Sequence, residues 1–340
     1  MDYALLGNTG LIVSRLSFGA VTFTAGDTMR GIARVEHAEA DALVGQALDA
    51  GVNFFDTADI YASGQSETLL GKALGSHRDD VVIATKVGGR MGPSLLDYGL
   101  TRRHIISAID ASLRRLGTDR VDVYIAHAED PHTPLEETLE ALDGVVRAGK
   151  ARYIGFSNWS AWRVATAIAL QNANGWARFS HGQMYYSLVG RDIEREIVPM
   201  MAHHGLGLTV WSPLASGFLS GKYTPDTLSD PANRLGNIPL LPFDQAAGFA
   251  LVEEMRSIAQ AQGASVAQIA LAWLLAKPAV TSIILGASKT SQLADNLGAL
   301  DVRLDAATMA RLDAAMPPAI LYPQWHRDGF ADAAVAAALV

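Results

Sequence analysis

Four side chains in the first half of the chain, Asp56, Tyr61, Lys86 and His127, could together perform acid–base chemistry on an oxygen atom. A phenol titrates near pH ~10 when unperturbed, too high to release its proton readily to an alkoxide at neutral pH. An ammonium beside it favours the phenolate and draws that value down, and a carboxylate keeps the ammonium charged and in place. An imidazole N–H can donate to an oxygen on which negative charge is developing. A carbonyl that accepts hydride needs this pair of services, a polarising donor and a tuned proton source. Taken singly, the same residues also fit a structural ion pair, an ordinary loop tyrosine and a satisfied rim histidine. Ion-pair networks gather at such places as well.

The elements that must position them follow from patterning. Short β-rich apolar runs at 15–19, 52–56, 81–86, 121–127, 152–156, 180–184, 207–211 and 282–285 alternate with helical patterns. Those include 35–50, 102–116, 135–148, 162–171, 193–203 and 266–275. The alternation predicts an α/β fold with a parallel sheet wound by crossover helices. Eight strands without a composition break predict one closed (β/α)8 TIM barrel, a single domain over 1–340. Asp56, Lys86 and His127 close the second, third and fourth strands, at the end where such barrels place their active sites. Neighbouring strands lie about 4.8 Å apart, so the three converge within roughly 10 Å. Tyr61 follows on the loop after Asp56.

Ahead of the barrel, Gly7-Asn8-Thr9-Gly10 between two apolar runs predicts a β-hairpin within 1–14, placed to plug the barrel bottom. Two segments exceed the minimal plan. Residues 216–244 are rich in Gly, Pro and Asn, and a loop that long is usually functional. A C-terminal extension, 301–340, holds a helical pattern at 306–315, then Pro317-Pro318, then an aromatic patch of Tyr322, Trp325 and His326.

Composition narrows the function classes. Of 340 residues, 49% are hydrophobic and 18% charged, which supports a large core. A net charge of −8 argues against nucleic-acid binding, which needs a basic surface. The lack of cysteine excludes disulfides, a thiolate nucleophile and a thiolate-bound metal, and no metal site is expected. The N-terminal residues lack a basic stretch followed by an apolar one, and the apolar tail 333–340 is too short to span a bilayer. A cytoplasmic protein without membrane contact is expected, its oligomeric state open.

The local strings carry more. Gly51-Val52-Asn53-Phe54-Phe55-Asp56-Thr57-Ala58-Asp59-Ile60-Tyr61 resembles the aldo-keto reductase signature G-x-N-x-x-D-T-A-x-x-Y. The resemblance continues through Ser66-Glu67-Thr68-Leu69-Leu70-Gly71, Ile83-Ala84-Thr85-Lys86 and Val121-Asp122-Val123-Tyr124-Ile125-Ala126-His127. It then covers Gly149-Lys150-Ala151-Arg152-Tyr153-Ile154-Gly155-Phe156-Ser157-Asn158, and extends to about Asn296. It implies Tyr61 as general acid, Lys86 and Asp56 as the pair that tunes it, and His127 as the orienting donor.

For the cofactor, no Gly-x-Gly-x-x-Gly follows a strand and opens a helix. Gly217-Phe218-Leu219-Ser220-Gly221-Lys222-Tyr223 falls one residue short of a P-loop and has Tyr where Ser or Thr should bind magnesium, which rejects ATP. The resemblance instead implies NADPH. By that likeness Ser157, Asn158 and Gln183 hold the nicotinamide carboxamide, and Trp211 stacks on the ring. The loop from Ser212, Pro213 and Leu214 to Tyr223 resembles the segment folded over the pyrophosphate, with Ser216, Gly217, Gly221 and Lys222 in it. The small residues there would let backbone N–H groups approach phosphate oxygens. The stretch from Gly286 to Asn296 resembles the adenosine-binding segment, with Lys289 and Ser288 as partners for a 2′-phosphate. Gln292 stands where many members carry arginine, so use of NADH beside NADPH is open. Arg234 is a second phosphate candidate or a solvated charge. Residues 21–23, 91–98 and 322–325 could line the substrate mouth, or simply pack.

The expected activity is NADPH-dependent reduction of aldehydes or ketones to alcohols, reversible, on small-molecule substrates. Two other readings compete. Some barrels of this family sit on ion channels as nicotinamide-sensing regulatory subunits with slow turnover. Lys86 could also serve as the Schiff-base lysine of an aldolase barrel.

Overall fold

The computed structural model describes residues 1–24, 35–228, 230, 235, 241–330 and 332–339. The chain opens with an antiparallel hairpin of β1 (Tyr3–Leu5) and β2 (Ile12–Ser14). Eight parallel strands then close into a barrel: β3 (Leu16–Gly19), β4 (Phe54–Asp56), β5 (Val82–Val87), β6 (Val121–Ala126), β7 (Ala151–Ser157), β8 (Phe179–Tyr185), β9 (Gly207–Trp211) and β10 (Val280–Gly286). Each strand pairs with the next in sequence, and β10 pairs back onto β3. The predicted eight strands are all present, with ends displaced by at most two residues. Strands covered on both faces should be apolar throughout, and in β5 every residue is buried.

Helices α1 (His37–Asp49), α2 (Gln65–Leu74), α3 (Arg102–Leu116), α4 (Leu135–Arg147), α5 (Ala161–Asn174) and α6 (Ile197–His204) return the chain between strands. After β9 come α7 (Gln245–Gln262) and α8 (Val266–Leu275), and after β10 come α9 (Thr290–Leu297) and α10 (Ala306–Ala315). Caps set several of these starts. Thr101 accepts from His104 N–H ahead of α3, and Ser265 and Gln268 form a reciprocal capping box on α8. No helix among the described residues is long and apolar enough to cross a membrane.

The hairpin plugs the barrel floor as predicted. Leu6 and Val13 are fully buried in one cluster with Phe54, Val82, Ala84, Val123 and Ile125. Each such side chain removed from water contributes about 1.5–3 kcal/mol. Gly7 makes the approach possible, because a Cβ there would sit 2.3 Å from Ser180 O and 2.5 Å from Gly207 N. With its bottom sealed, the barrel presents only its C-terminal mouth. The predicted aromatic tail does not fold inward: Tyr322 and, within α11 (Gln324–Gly329), Trp325 and His326 meet tilted or edge-on and stay exposed, and α12 (Ala333–Ala338) follows.

Candidate active site

The connection from β4 to α2 aims Tyr61. Past Asp56 the backbone keeps to the flank of β5, with Thr57 N–H on Ala84 O at 2.9 Å and Asp59 N–H on Lys86 O at 3.2 Å. A 3-10 turn (Tyr61–Gly64) then reverses the chain, with Ala62 and Ser63 at φ 48° and 53°. Non-glycine residues in that left-handed region carry strain of order ~1–3 kcal/mol each, which the surroundings must hold in place. Ser66 Oγ donates to Ala20 O at 2.6 Å, so its 2.8 Å contact with Thr57 Oγ1 has Thr57 as donor. Those bonds pin the start of α2 to the end of β3, with Tyr61 between.

The sequence-predicted quartet converges at the mouth. Fully buried Lys86 spends its three ammonium donors on three acceptors: Asp56 Oδ2 at 2.6 Å, Thr57 O at 2.7 Å and Tyr61 Oη at 3.2 Å. Burial opposes that charge, but Asp56 and Tyr61 outweigh it and hold Lys86 above the ordinary lysine range. His127 lies one residue beyond β6, its N–H on Val87 O at 2.9 Å, and its ring stands edge-on to Tyr61 with centroids 5.8 Å apart. Burial, reinforced by the Lys86 charge, pushes His127 down to about 3, so the imidazole is neutral at working pH. A neutral ring keeps one N–H to donate and one lone pair.

Tyr61 departs from the expected electrostatics. Burial of its hydroxyl raises the phenol, Lys86 lowers it, Asp56 and Asp59 raise it again, and in net it lies above the ordinary tyrosine value. Lys86 therefore acts in the anticipated direction without prevailing. The phenol rests protonated, a loaded proton source whose release becomes favourable only when a stronger base forms beside it.

The residues expected to meet a carboxamide and a nicotinamide ring, Ser157, Asn158, Gln183 and Trp211, lie together at the ends of β7, β8 and β9 beside the quartet. Ser157 Oγ donates to Gln183 O at 2.7 Å, and Gln183 Nε2 donates to Asp56 Oδ1 at 2.8 Å, tying them to the quartet. Asn158, at φ 59°, donates from Nδ2 to His127 O at 3.0 Å and to Ser157 Oγ at 2.9 Å. Its Oδ1 accepts from the Trp211 indole N–H at 3.1 Å. Tyr185 backs the indole, ring centroids 5.2 Å apart. Trp211 is thus held by Asn158 and Tyr185, half-buried and packed against the edge of the core.

The Ser212–Tyr223 region behaves differently from expectation. Ser212, Ala215 and Ser216 all have positive φ, a built, strained loop. Yet the N–H groups of Ser216, Gly217 and Gly221 are bonded inside the loop, to Ser212 Oγ, Leu214 O and Phe218 O. Compact turns consume the donors that small residues were expected to offer a phosphate, leaving side chains such as Ser216 and Lys222. Pro213 is buried and Leu214 half-buried beneath them. Beyond β10, Gly286 and Lys289 are exposed, and Gln292 Oε1 accepts from Ser288 N–H at 3.0 Å and Ser288 Oγ at 3.2 Å. Lys289 has no acidic partner among the described residues, while Asn296 is buried on α9. Arg234 lies outside the described residues. Since β7, β8, β9 and β10 are consecutive in the barrel, Ser157, Gln183 and Trp211, the strained loop and the Lys289 turn form one continuous arc at the mouth. A cleft of about 630 Å³ between α2 and α3 lies on the outer wall, away from this arc.

Sequence reasoning did not single out Thr57, Tyr185 or Asp59. Thr57 contributes a carbonyl, invisible in residue type, whereas Tyr185 could have been found two places after Gln183 on the same strand face.

Fold and site together define a (β/α)8 barrel whose mouth gathers the Asp56–Tyr61–Lys86–His127 cluster beside Ser157, Asn158, Gln183 and Trp211. Residues 15–317 match the model of the Aldo/keto reductase family, and the chain belongs to that family. It is 41% identical over 315 residues to a probable voltage-gated potassium channel subunit beta of Oryza sativa subsp. japonica, covering 89% of this chain and 92% of that one. It is 33% identical over 344 residues to versiconal hemiacetal acetate reductase of Aspergillus parasiticus, covering 95% and 99%. An uncharacterized oxidoreductase of Bacillus subtilis is 34% identical over 329 residues, covering 93% and 96%. Family and relatives support an oxidoreductase.

Proposed function

We propose that this protein is an NADPH-preferring reductase of aldehydes and ketones, reversible towards alcohol oxidation, with Asp56, Tyr61, Lys86 and His127 as its catalytic residues. The observation that carries the reading is the saturation of Lys86: its three donors end on Asp56, Thr57 O and Tyr61 Oη. A bound nicotinamide supplies the hydride. The Tyr61 hydroxyl gives its proton to the substrate oxygen as negative charge collects there, and the Lys86 ammonium steadies the phenolate left behind. Asp56 keeps that ammonium charged, and the neutral His127 orients the oxygen through its N–H. Ser157, Asn158 and Gln183 offer amide and hydroxyl groups to a carboxamide, Trp211 a flat face. Ser212, Pro213, Leu214, Ser216, Gly217, Gly221 and Lys222 would cover the pyrophosphate. Gly286, Ser288, Lys289, Gln292 and Asn296 would meet the adenosine end, where Lys289 favours a 2′-phosphate.

The test is a panel of small aldehydes and ketones assayed with NADPH and NADH in parallel. Rapid oxidation of NADPH with at least one carbonyl, and slower use of NADH, is the expected result. The channel-subunit relative motivates a second reading, a nicotinamide-sensing regulatory barrel. Tight NADPH binding with only trace turnover across the whole panel would favour it and displace the first.

A further inference from the structure

One buried acid beside the quartet takes no part in its hydrogen bonds. Asp59 is fully buried, and neither carboxyl oxygen has a hydrogen-bond partner among the described residues. Ile60 N–H favours the charged form, more than Arg115 or Lys86 does, but falls outside hydrogen-bonding geometry. Native interiors rarely leave such a group unsatisfied. Asp59 is also held where it is: its main-chain N–H is tied to Lys86 O at 3.2 Å, two residues before Tyr61.

The charged and titratable groups that face it come from each surrounding element. They are Glu67 on α2, Arg115 on α3, Lys86 on β5, Tyr124 on β6 and Tyr61 on its own connection. Both cations are already engaged. Arg115 Nε donates to Glu67 Oε2 at 2.6 Å, while Glu67 Oε1 accepts from Thr85 at 2.5 Å. Lys86 has no donor left over. Asp59 therefore sees positive charge without owning a partner, in a wall that also contains the Glu67 carboxylate.

We propose that Asp59 is a positioning residue of this reaction, which binds and releases a proton of its own and thereby sets how readily Tyr61 gives up its hydroxyl proton. The proposal rests on Tyr61 being the proton donor. Burial, with the Glu67 charge added, carries the Asp59 carboxyl up to about 7. Below that pH the group is neutral. Above it, its negative charge opposes a second one on the phenolate and holds the Tyr61 proton in place, the direction in which Asp59 acts on Tyr61. Reduction then weakens as pH rises through about 7, while the phenolate, once formed, is the better base for alcohol oxidation.

Two measurements need no turnover, so they stand or fall apart from the assignment of Tyr61. In carboxyl-13C NMR of the aspartate-labelled full chain, one aspartate should titrate with a midpoint of about 7 and be missing from Asp59→Asn. The Tyr61 phenolate, read as the ultraviolet difference between wild type and Tyr61→Phe, should form at a pH lower by roughly one unit when Asp59→Asn is added. A third, the pH profile of kcat/KM for reduction, should lose about tenfold through that midpoint in wild type and show no such step in Asp59→Asn. If Asn is not tolerated, Asp59→Ala serves in its place. Aspartates that all titrate below pH ~5, or a phenolate midpoint unmoved by the substitution, would overturn the proposal. Turnover undiminished in Tyr61→Phe would instead remove the reading beneath it.

Discussion

A fully buried ammonium is tolerable only because Asp56, Thr57 O and Tyr61 Oη receive all its protons. Lys86→Met removes the cation and strands Asp56, which is nearly as buried, with only Gln183 to satisfy it. Breaking such a pair from one side costs about 3–5 kcal/mol. Urea denaturation should register a loss of that size; a change under about 1 kcal/mol would mean that solvent already reaches the pair. Asp59 has the opposite signature. Its folded value, about 7, lies above the ordinary 3.8, so ionising it opposes folding. The stability it provides is whole below pH 3.8 and drains away as pH rises to about 7. Asp59→Asn should therefore gain up to about 4 kcal/mol on wild type at pH ~8 and almost nothing at pH ~4, read from denaturation at both. Equal gains at the two pH values would show that packing, not charge, explains the difference.

The elements that place these groups were partly readable from pattern. Alternating apolar runs gave eight strands, since a barrel strand must be buried on both sides, and helices such as α3 and α8 carry both periodicity and caps. Helix α2 was not anticipated. It begins after Gly64 without a capping side chain and contains Gly71, so its local signal is weak, and packing decides it. Gly71 lies so close to α3 that a Cβ would meet Leu116 O at 2.2 Å and Leu116 C at 2.7 Å. A backbone carbonyl cannot swing aside as a side chain would. Gly71→Ala should thus push α2 off α3, lower stability by about 1–3 kcal/mol in thermal denaturation, and loosen the Tyr61 turn at its head. A neutral or stabilising effect would contradict the close packing. What sequence could not supply was where main-chain donors go. The small residues Ser216, Gly217 and Gly221 suggested free N–H groups, but the turn they build consumes them.

At the scale of the molecule, a net charge of −8 must be reconciled with the proposed cofactor, a polyanion. The reconciliation is local: Lys289 and Lys222 stand at the mouth, on the loops that follow β10 and β9. A charge-assisted contact contributes about 1.5–3 kcal/mol, so Lys289→Met should weaken NADPH roughly 10–100-fold and leave NADH nearly unchanged. Cofactor-linked thermal shifts report both, because ligand at a hundred times Kd adds about 2.7 kcal/mol to stability. Equal losses for the two cofactors would place Lys289 away from the 2′-phosphate. The barrel was legible from apolar patterning and the hairpin plug from its turn residues, while in the quartet Asp56, Lys86 and His127 stood at strand ends and the likeness of the surrounding strings to the family signature joined Tyr61, on its loop, to them. The resting state of Tyr61 and the isolation of Asp59 were not, since both depend on charges that only the closed barrel brings near.

The most direct trial of Tyr61 as proton donor is a single turnover: protein saturated with NADPH, mixed with an excess of an accepted aldehyde, followed by nicotinamide absorbance in wild type and Tyr61→Phe. The hydroxyl's removal should slow that oxidation by about 10²–10⁴-fold, with NADPH affinity within about twofold of wild type. A Tyr61→Phe protein that oxidises its bound NADPH at the wild-type rate would contradict it.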